Sequence, residues 1–323
     1  MACQVILKGR CQMQKRTLYQ TGNFYKGNLH SHSTVSDGKH PPEELKRMYT
    51  EKGYSFLALT DHNIYGSFDE LCDEKFITIP GVEIDHNYDG FRVDHLVCIG
   101  IEGKNTIAHG TRFPYDMWET GEAQEITDYF NARGNIVFYA HPNGCKVGHR
   151  EVTDLNGLYG LEIFNSGCET ILKCGLSESF YDKMLFLRRN TPDGHLPYCI
   201  ASDDAHLEIR DFFHGWIVVK AKELTRKAIT QAILDGSFYA SRGPEIYDFY
   251  IEDEKAVFEC SPCRTVYLFS DNRNFCHIHK EDTGCDITRV EFDIHGLEFP
   301  YLRAVCVAND GYEAWTQPIS PVR

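Results

Sequence analysis

Three apolar runs in this chain break off in the same way, and that repetition constrains the fold more than any other feature. Phe56-Leu-Ala-Leu-Thr runs into Asp61-His62, Ile136-Val-Phe-Tyr-Ala into His141, and Tyr198-Cys-Ile-Ala-Ser into Asp203-Asp204-Ala-His206. A short, nearly continuous apolar run marks a strand buried on both faces, as in a parallel sheet covered by helices. In a β/α barrel all such strands deliver their C-terminal ends to one face, so polar groups placed there share a site. Helical patterns lie between the runs. Residues 42–52 begin with a proline, carry their acids early and stop at Gly53, and residues 122–133 stop at Gly134. Residues 222–235 place Leu224, Ala228, Ile229, Ala232 and Ile233 on one stripe before Gly236. Further strands are expected at 27–30, 76–79, 95–99, 160–164 and 215–219, so strand and helix alternate from about residue 24 to 240.

After about residue 245 the rhythm changes. Short β-like runs at 256–260, 265–269, 289–294, 302–307 and 313–317 are separated by turn residues, without a helical pattern. They predict a small antiparallel, β-sandwich-like domain over 246–323, joined to a barrel over 23–245 through Ser241-Arg-Gly-Pro-Glu245. Residues 1–22 form either an arm or an added strand. With 33 basic against 47 acidic residues the net charge is −14, which disfavours a protein that grips nucleic-acid phosphates or works as a DNA exonuclease. No apolar run approaches the roughly 18 residues of a membrane span, and the N-terminus lacks the apolar core of an export signal. A cytoplasmic protein without membrane partners is therefore expected, its 13 cysteines reduced. Cys260-Ser-Pro-Cys263, with Cys276, His277, His279 and Cys285 downstream, lacks a second CxxC pair and reads as packed thiols rather than a structural zinc site. Oligomeric state is not encoded in any pattern of this kind.

The chemistry lies in the polar groups at the strand ends. His30 and His32 stand two apart after a short apolar run, so on a continuing strand both rings point to one side. Asp37 follows before Gly38, a position a simple turn would also explain. Glu83 and His95 come nearly opposite each other if the chain folds back around Asp89-Gly90; an exposed polar hairpin is the plain alternative. Together with His62, His141, His206 and the paired aspartates, these make six histidines with carboxylates at strand ends. One zinc takes about four ligands, so the set points to a multinuclear metal site. Mixed imidazole and carboxylate ligands suit zinc, manganese or iron. The other nine histidines lack this context and read as surface or structural.

The motifs Leu29-His-Ser-His-Ser-Thr-Val-Ser-Asp-Gly38, Leu59-Thr-Asp-His-Asn63, Gly81-Val-Glu83, Ala140-His-Pro142 and Ser202-Asp-Asp-Ala-His206 resemble, in this order, those of the PHP (polymerase and histidinol phosphatase) family. The resemblance covers about residues 24–240. The tail from Gly236 to Glu245 is similar to that of a stand-alone, phosphoesterase-like subgroup. The resemblance implies an α/β fold, a distorted seven-stranded β/α (TIM-like) barrel, with two or three divalent ions. It implies that His30, His32, Glu83 and Asp204 hold one ion, that Glu83 bridges to a second held by His95 and His141, and that Asp37, His62 and His206 hold a third. Asp61 would orient an imidazole. The adjacent Asp203 and Asp204 depart from the family's single aspartate; the spacing to His206 favours Asp204.

Such a site acidifies a water shared by two ions, which attacks phosphorus in line while the metals absorb phosphoryl charge. The implied activity is a metal-dependent phosphoesterase acting on a small phosphorylated metabolite, a nucleotide or sugar phosphate. Asn165, Arg210 and Arg242 are the candidates to contact that substrate, and His214 is at most a supporting residue. The same nucleophile would serve a metallohydrolase of an ester, carbamate or amide. A non-catalytic binding module would be expected to have lost ligands, and here every motif position is filled.

Overall fold

The computed structural model describes residues 16–87, 93–189, 195–207, 210–271 and 275–320. Most of the expected N-terminal arm and the Asp89-Gly90 turn lie outside these residues. Arg16–Thr17 forms a short strand paired antiparallel with Ile246–Glu252.

The fold is mixed α/β with three sheets. One runs in the order 81–87, 93–100, 135–139, 160–165, 198–202. The last three of these are parallel neighbours, and Val93–Gly100 is antiparallel to both Gly81–Asn87 and Asn135–Tyr139. A short reversal such as 81–100 leaves no room for the crossover that parallel pairing requires. A nine-stranded sheet contains Asn23–Asn28, parallel to Phe56–Leu57, which is parallel to Ile77–Thr78. Trp216–Ala221, expected as one more strand of the alternating pattern, pairs antiparallel with Asn23–Asn28 and with Phe238–Ser241. Phe238–Ser241 then pairs with Glu313–Thr316, so this sheet continues into the C-terminal strands. A third sheet of four strands holds 16–17, 246–252, 255–263 and 287–293.

The first two sheets meet at the end where the motifs lie. Parallel bridges join Ser31 to Ala205 and His62 to Glu83. Backbone bonds from Asp204 to His30 (2.9 Å), Thr60 to Ser31 (2.9 Å), Glu83 to Thr60 (3.1 Å) and Ala140 to His95 (3.0 Å) set each motif beside the next. Beneath them lies a core of Leu29, Phe56, Val97, Phe138, Ile200 and Ile217, all buried. Gly27 permits this closeness: a Cβ there would lie 2.2 Å from the Phe56 ring.

Helices Pro42–Glu51, Ala123–Asn131 and Arg226–Leu234 occupy the segments expected to be helical at 42–52, 122–133 and 222–235. Pro142–Cys145, His149–Thr153, Ser166–Leu172 and Glu178–Arg188 were not predicted. Three of these are short, and Ser166–Leu172 turns Ile171 and Leu172 outward, so no inward stripe marks it. Beyond Ser241 the regular elements among the described residues are antiparallel strands apart from the short helix Lys280–Thr283; Ile246–Glu252 and Phe275–His279 are strands additional to those expected. No helix among the described residues is long and apolar enough to cross a membrane.

Arg303 ties the C-terminal strands to helix Glu178–Arg188. It is fully buried, its guanidinium carbon 4.6 Å from the Phe269 ring centre, and it pairs with Glu178 (3.2 Å) and Asp182. Truncation to Ala removes the packing of a long side chain along with the ion pair. R303A is expected to destabilise the chain by about 3 kcal/mol in urea unfolding. R303M keeps most of the volume and should recover part of that loss; an unchanged R303A midpoint would contradict the role given to this side chain.

Candidate metal centre

Side chains from the bridged face gather into one cluster around Glu83, which is fully buried. Its Oε2 lies 3.1 Å from Nε2 of His30, 3.1 Å from Nε2 of His32 and 3.2 Å from Nδ1 of His62. Its Oε1 lies 2.7 Å from Nδ1 of His95 and 3.3 Å from Nε2 of His141. Asp204 spans the same two groups: Oδ1 is 3.2 Å from His30 and 3.1 Å from His32, and Oδ2 is 3.6 Å from His141. Further out, Asp37 lies 3.5 Å from Nε2 of His206, 3.9 Å from Nε2 of His62 and 3.8 Å from Nδ1 of His32. The nine residues singled out as ligands are thus brought together, in groups that include His30–His32–Glu83–Asp204, His62–Glu83–His95 and His32–Asp37–His62–His206.

The donor atoms fit a cation better than they fit one another. Glu83 Oε2 is buried among three imidazole nitrogens and makes no hydrogen bond with any; Nδ1 of His32 and of His62 are likewise buried without a hydrogen bond. Nε2 of His30 faces Nε2 of His32 at 3.2 Å. Nitrogen and carboxylate lone pairs converging in this way could hold a metal ion. Imidazoles with carboxylates suit zinc, manganese or iron. The electrostatics agree. Burial disfavours a charged His30, yet Asp204, Glu83 and Glu162 outweigh it and hold the ring well above the usual histidine range. For His32 burial is again overcome, by Asp204 and Glu83, and its pKa is pushed up to about 9. The carboxylates here demand positive charge, whether carried by protons or by metal.

A second set of side chains holds the first in place. Glu162, buried in strand Gly160–Asn165, lies 2.7 Å from Nδ1 of His30, fixing which nitrogen that ring turns to the cluster. It also accepts from the His141 amide at 2.9 Å and from the Asn165 side chain at 2.7 Å. Sequence reading missed Glu162, because one acid inside the run Leu161–Phe164 gives no pattern of its own. Asn165 has no polar atom free for a substrate. Its amide donates to Glu162 and to Asp204 (3.1 Å), and its oxygen caps helix Ser166–Leu172 by accepting from the Cys168 amide (2.8 Å). Asp61 holds a loop rather than an imidazole: it accepts from the amides of Ser33 (2.7 Å) and Ser36 (3.2 Å) and from both hydroxyls, between His32 and Asp37. Asp203 turns away from the cluster to Tyr49 Oη (2.8 Å) and the amides of His214 and Gly215, leaving Asp204 to face the imidazoles. His141 and Asp204 both adopt left-handed backbone, with φ of 26° and 51°, a strain that functional sites often carry.

The cluster opens into a cavity of about 450 Å³ whose lining includes His95, His141, Cys145, Lys146, Cys168 and His206. Arg210 and Arg242 are not part of that lining. Arg242 stacks on Phe164 at 3.9 Å, and Arg210 is exposed, its carbonyl accepting from Thr170. Cys260 and Cys263 lie 3.6 Å apart in the C-terminal core, and no candidate metal group among the described residues includes them.

No protein-family model matches the chain. It is 40% identical over 81 residues to a 5′-3′ exoribonuclease of Haemophilus influenzae and 30% identical over 116 residues to the 5′-3′ exoribonuclease Rnm of Salmonella typhimurium. Those stretches are 24% and 34% of this chain, and the chain spans only 29% and 36% of the two relatives. Over 97% of its length it superposes on 99% of a two-domain protein from Bacteroides vulgatus containing a predicted PHP-like metal-dependent phosphoesterase, with a TM-score of 0.50 and 15% identity. The chain shares the fold of that PHP-like protein, in keeping with the resemblance carried by the motifs.

The Glu162–His30 contact yields a direct test. E162Q keeps the shape but weakens the acceptor behind His30, and metal affinity, measured by chelator competition, is expected to fall about 10- to 100-fold. Unaltered affinity would remove Glu162 from the metal centre.

Proposed function

We propose that this chain is a metal-dependent phosphoesterase hydrolysing a small phosphorylated metabolite, a nucleotide or sugar phosphate. The site sits on a distorted seven-stranded barrel, with residues 246–323 as an accessory β domain. The observation that carries the reading is the division of Glu83: one oxygen faces His30, His32 and His62, the other His95 and His141. A carboxylate shared in this way suits a bridge between two cations, with Asp204 facing both groups. Bound divalent ions supply an acidified water and offset charge on the phosphoryl oxygens.

The chain's own residues orient and select. Glu162 and Asn165 hold His30 and Asp204 at the angles this requires, and Asp61 fixes the loop that presents Asp37. Lys146 is the one lysine or arginine among the described residues lining the cavity, and its exposed side chain suits a non-reacting phosphate oxygen. It takes the role first considered for Arg210 and Arg242. A second reading follows from the two exoribonuclease relatives, in which the substrate is RNA hydrolysed from its 5′ end. The net charge of −14 and a cavity with a single cation favour the small molecule.

Zinc- or manganese-loaded protein is expected to release phosphate from nucleotide or sugar monophosphates, with a chelator abolishing the release. K146A should raise KM about tenfold while changing kcat less. Release of nucleotides from an oligoribonucleotide, without phosphate from monophosphates, would favour the second reading. Silence toward both from protein shown to hold its metals would refute phosphoesterase activity and leave an ester, carbamate or amide as the scissile bond.

A further inference from the structure

The metal cluster contains one sulfur that no motif predicts. The Sγ of Cys168 lies with a ring nitrogen of His141 and a carboxylate oxygen of Asp204, all within 4.8 Å of one another. Cys168 is 9% exposed, and what surface it has lines the cavity over the cluster. Its placement is built from the chain. Asn165 accepts from the Cys168 amide at 2.8 Å and donates to Asp204 at 3.1 Å, so one side chain ties the first turn of helix Ser166–Leu172 to the carboxylate. From the other side, Gly144 leaves room for the sulfur: a Cβ there would stand 2.6 Å from Sγ and 3.3 Å from Nδ1 of His141. A side chain at 144 would crowd the thiol.

We propose that Cys168 is a further metal ligand, its thiolate joining His141 and Asp204 on one ion of the cluster. As the sulfur–metal bond forms, the thiol proton passes to solvent, because only the thiolate coordinates. A sulfur in the shell shifts preference toward zinc, ferrous iron or cobalt and away from manganese, whose affinity rests on oxygen ligands. The inference rests on the metal-centre reading and is independent of which ester is cleaved. Cys145, with Sγ 3.4 Å from Nδ1 of His141, belongs to no candidate ligand group and serves as the control.

Cobalt(II) separates the two questions, since its visible bands report coordination and a near-ultraviolet charge-transfer band reports thiolate. Cobalt-loaded wild-type protein is expected to show both, C145S both, and C168S only the visible bands. C168S should also shift the zinc-over-manganese preference toward manganese by about tenfold or more. Visible bands without the near-ultraviolet band in the wild type would overturn the proposal and spare the metal centre. A band persisting in C168S would belong to another thiol, such as the Cys260–Cys263 pair, and would also overturn it. Failure to take up cobalt would overturn metal centre and ligand together. Should C168S not fold, alkylation of the wild type decides: Cys168 is expected to be protected in zinc-loaded protein and labelled after chelation, and equal labelling refutes coordination.

Discussion

The architecture depends on a carboxylate buried where water cannot reach it. Glu83 is fully enclosed, and leaving such a charge unpaired costs several kcal/mol. Five imidazole nitrogens within 3.3 Å answer it, drawn from four separate stretches of the chain. The electrostatic response is mutual. Burial alone would raise the Glu83 pKa, but His30, His95 and His62 hold it well below the usual carboxylate range. A cation of higher charge satisfies the same demand more completely than protons do. For that reason the cluster reads as a metal centre and not as a network of ion pairs.

The rest of the fold can be understood as what brings those four stretches together. The backbone bridges His62–Glu83 and Ser31–Ala205 join two sheets at the face where these side chains emerge, and a core of Leu29, Phe56, Val97 and Phe138 fills the space beneath. Around the cluster stands a layer that directs its hydrogen bonds to it: Glu162 to His30, Asn165 to Asp204, Asp61 to the loop between His32 and Asp37. Left-handed backbone at His141 and Asp204 is tolerated because neighbouring bonds over-determine it, as with Glu162 accepting from the His141 amide.

Much of this was legible in the sequence because strand ends leave a sharp signature. Asp61-His62, His141 and Asp204-Ala-His206 each follow an apolar run, and the i, i+2 spacing of His30 and His32 states a shared direction. What escaped notice has a physical reason too. Glu162 and Cys168 sit within an apolar strand and the helix after it, where one residue of the right type carries no periodic signal. Lys146 follows a four-residue helix too short to register. The apolar run from Phe56 to Thr60 is strand only at Phe56–Leu57: Ala58 still bonds to the Asn28 carbonyl, but Thr60 bonds to Ser31, beyond the end of strand Asn23–Asn28. The antiparallel pairing of Trp216–Ala221 was also unreadable, since a buried run looks the same in either direction.

The central claim is that Glu83 holds two ions at once, and metal counting by mass spectrometry on purified protein tests it most directly. Wild-type protein is predicted to carry two or three ions per chain, and E83Q to lose at least two of them together while keeping the wild-type circular dichroism spectrum. Full metal content in E83Q, or the loss of a single ion with the others held at undiminished affinity, would contradict a bridging role for this carboxylate.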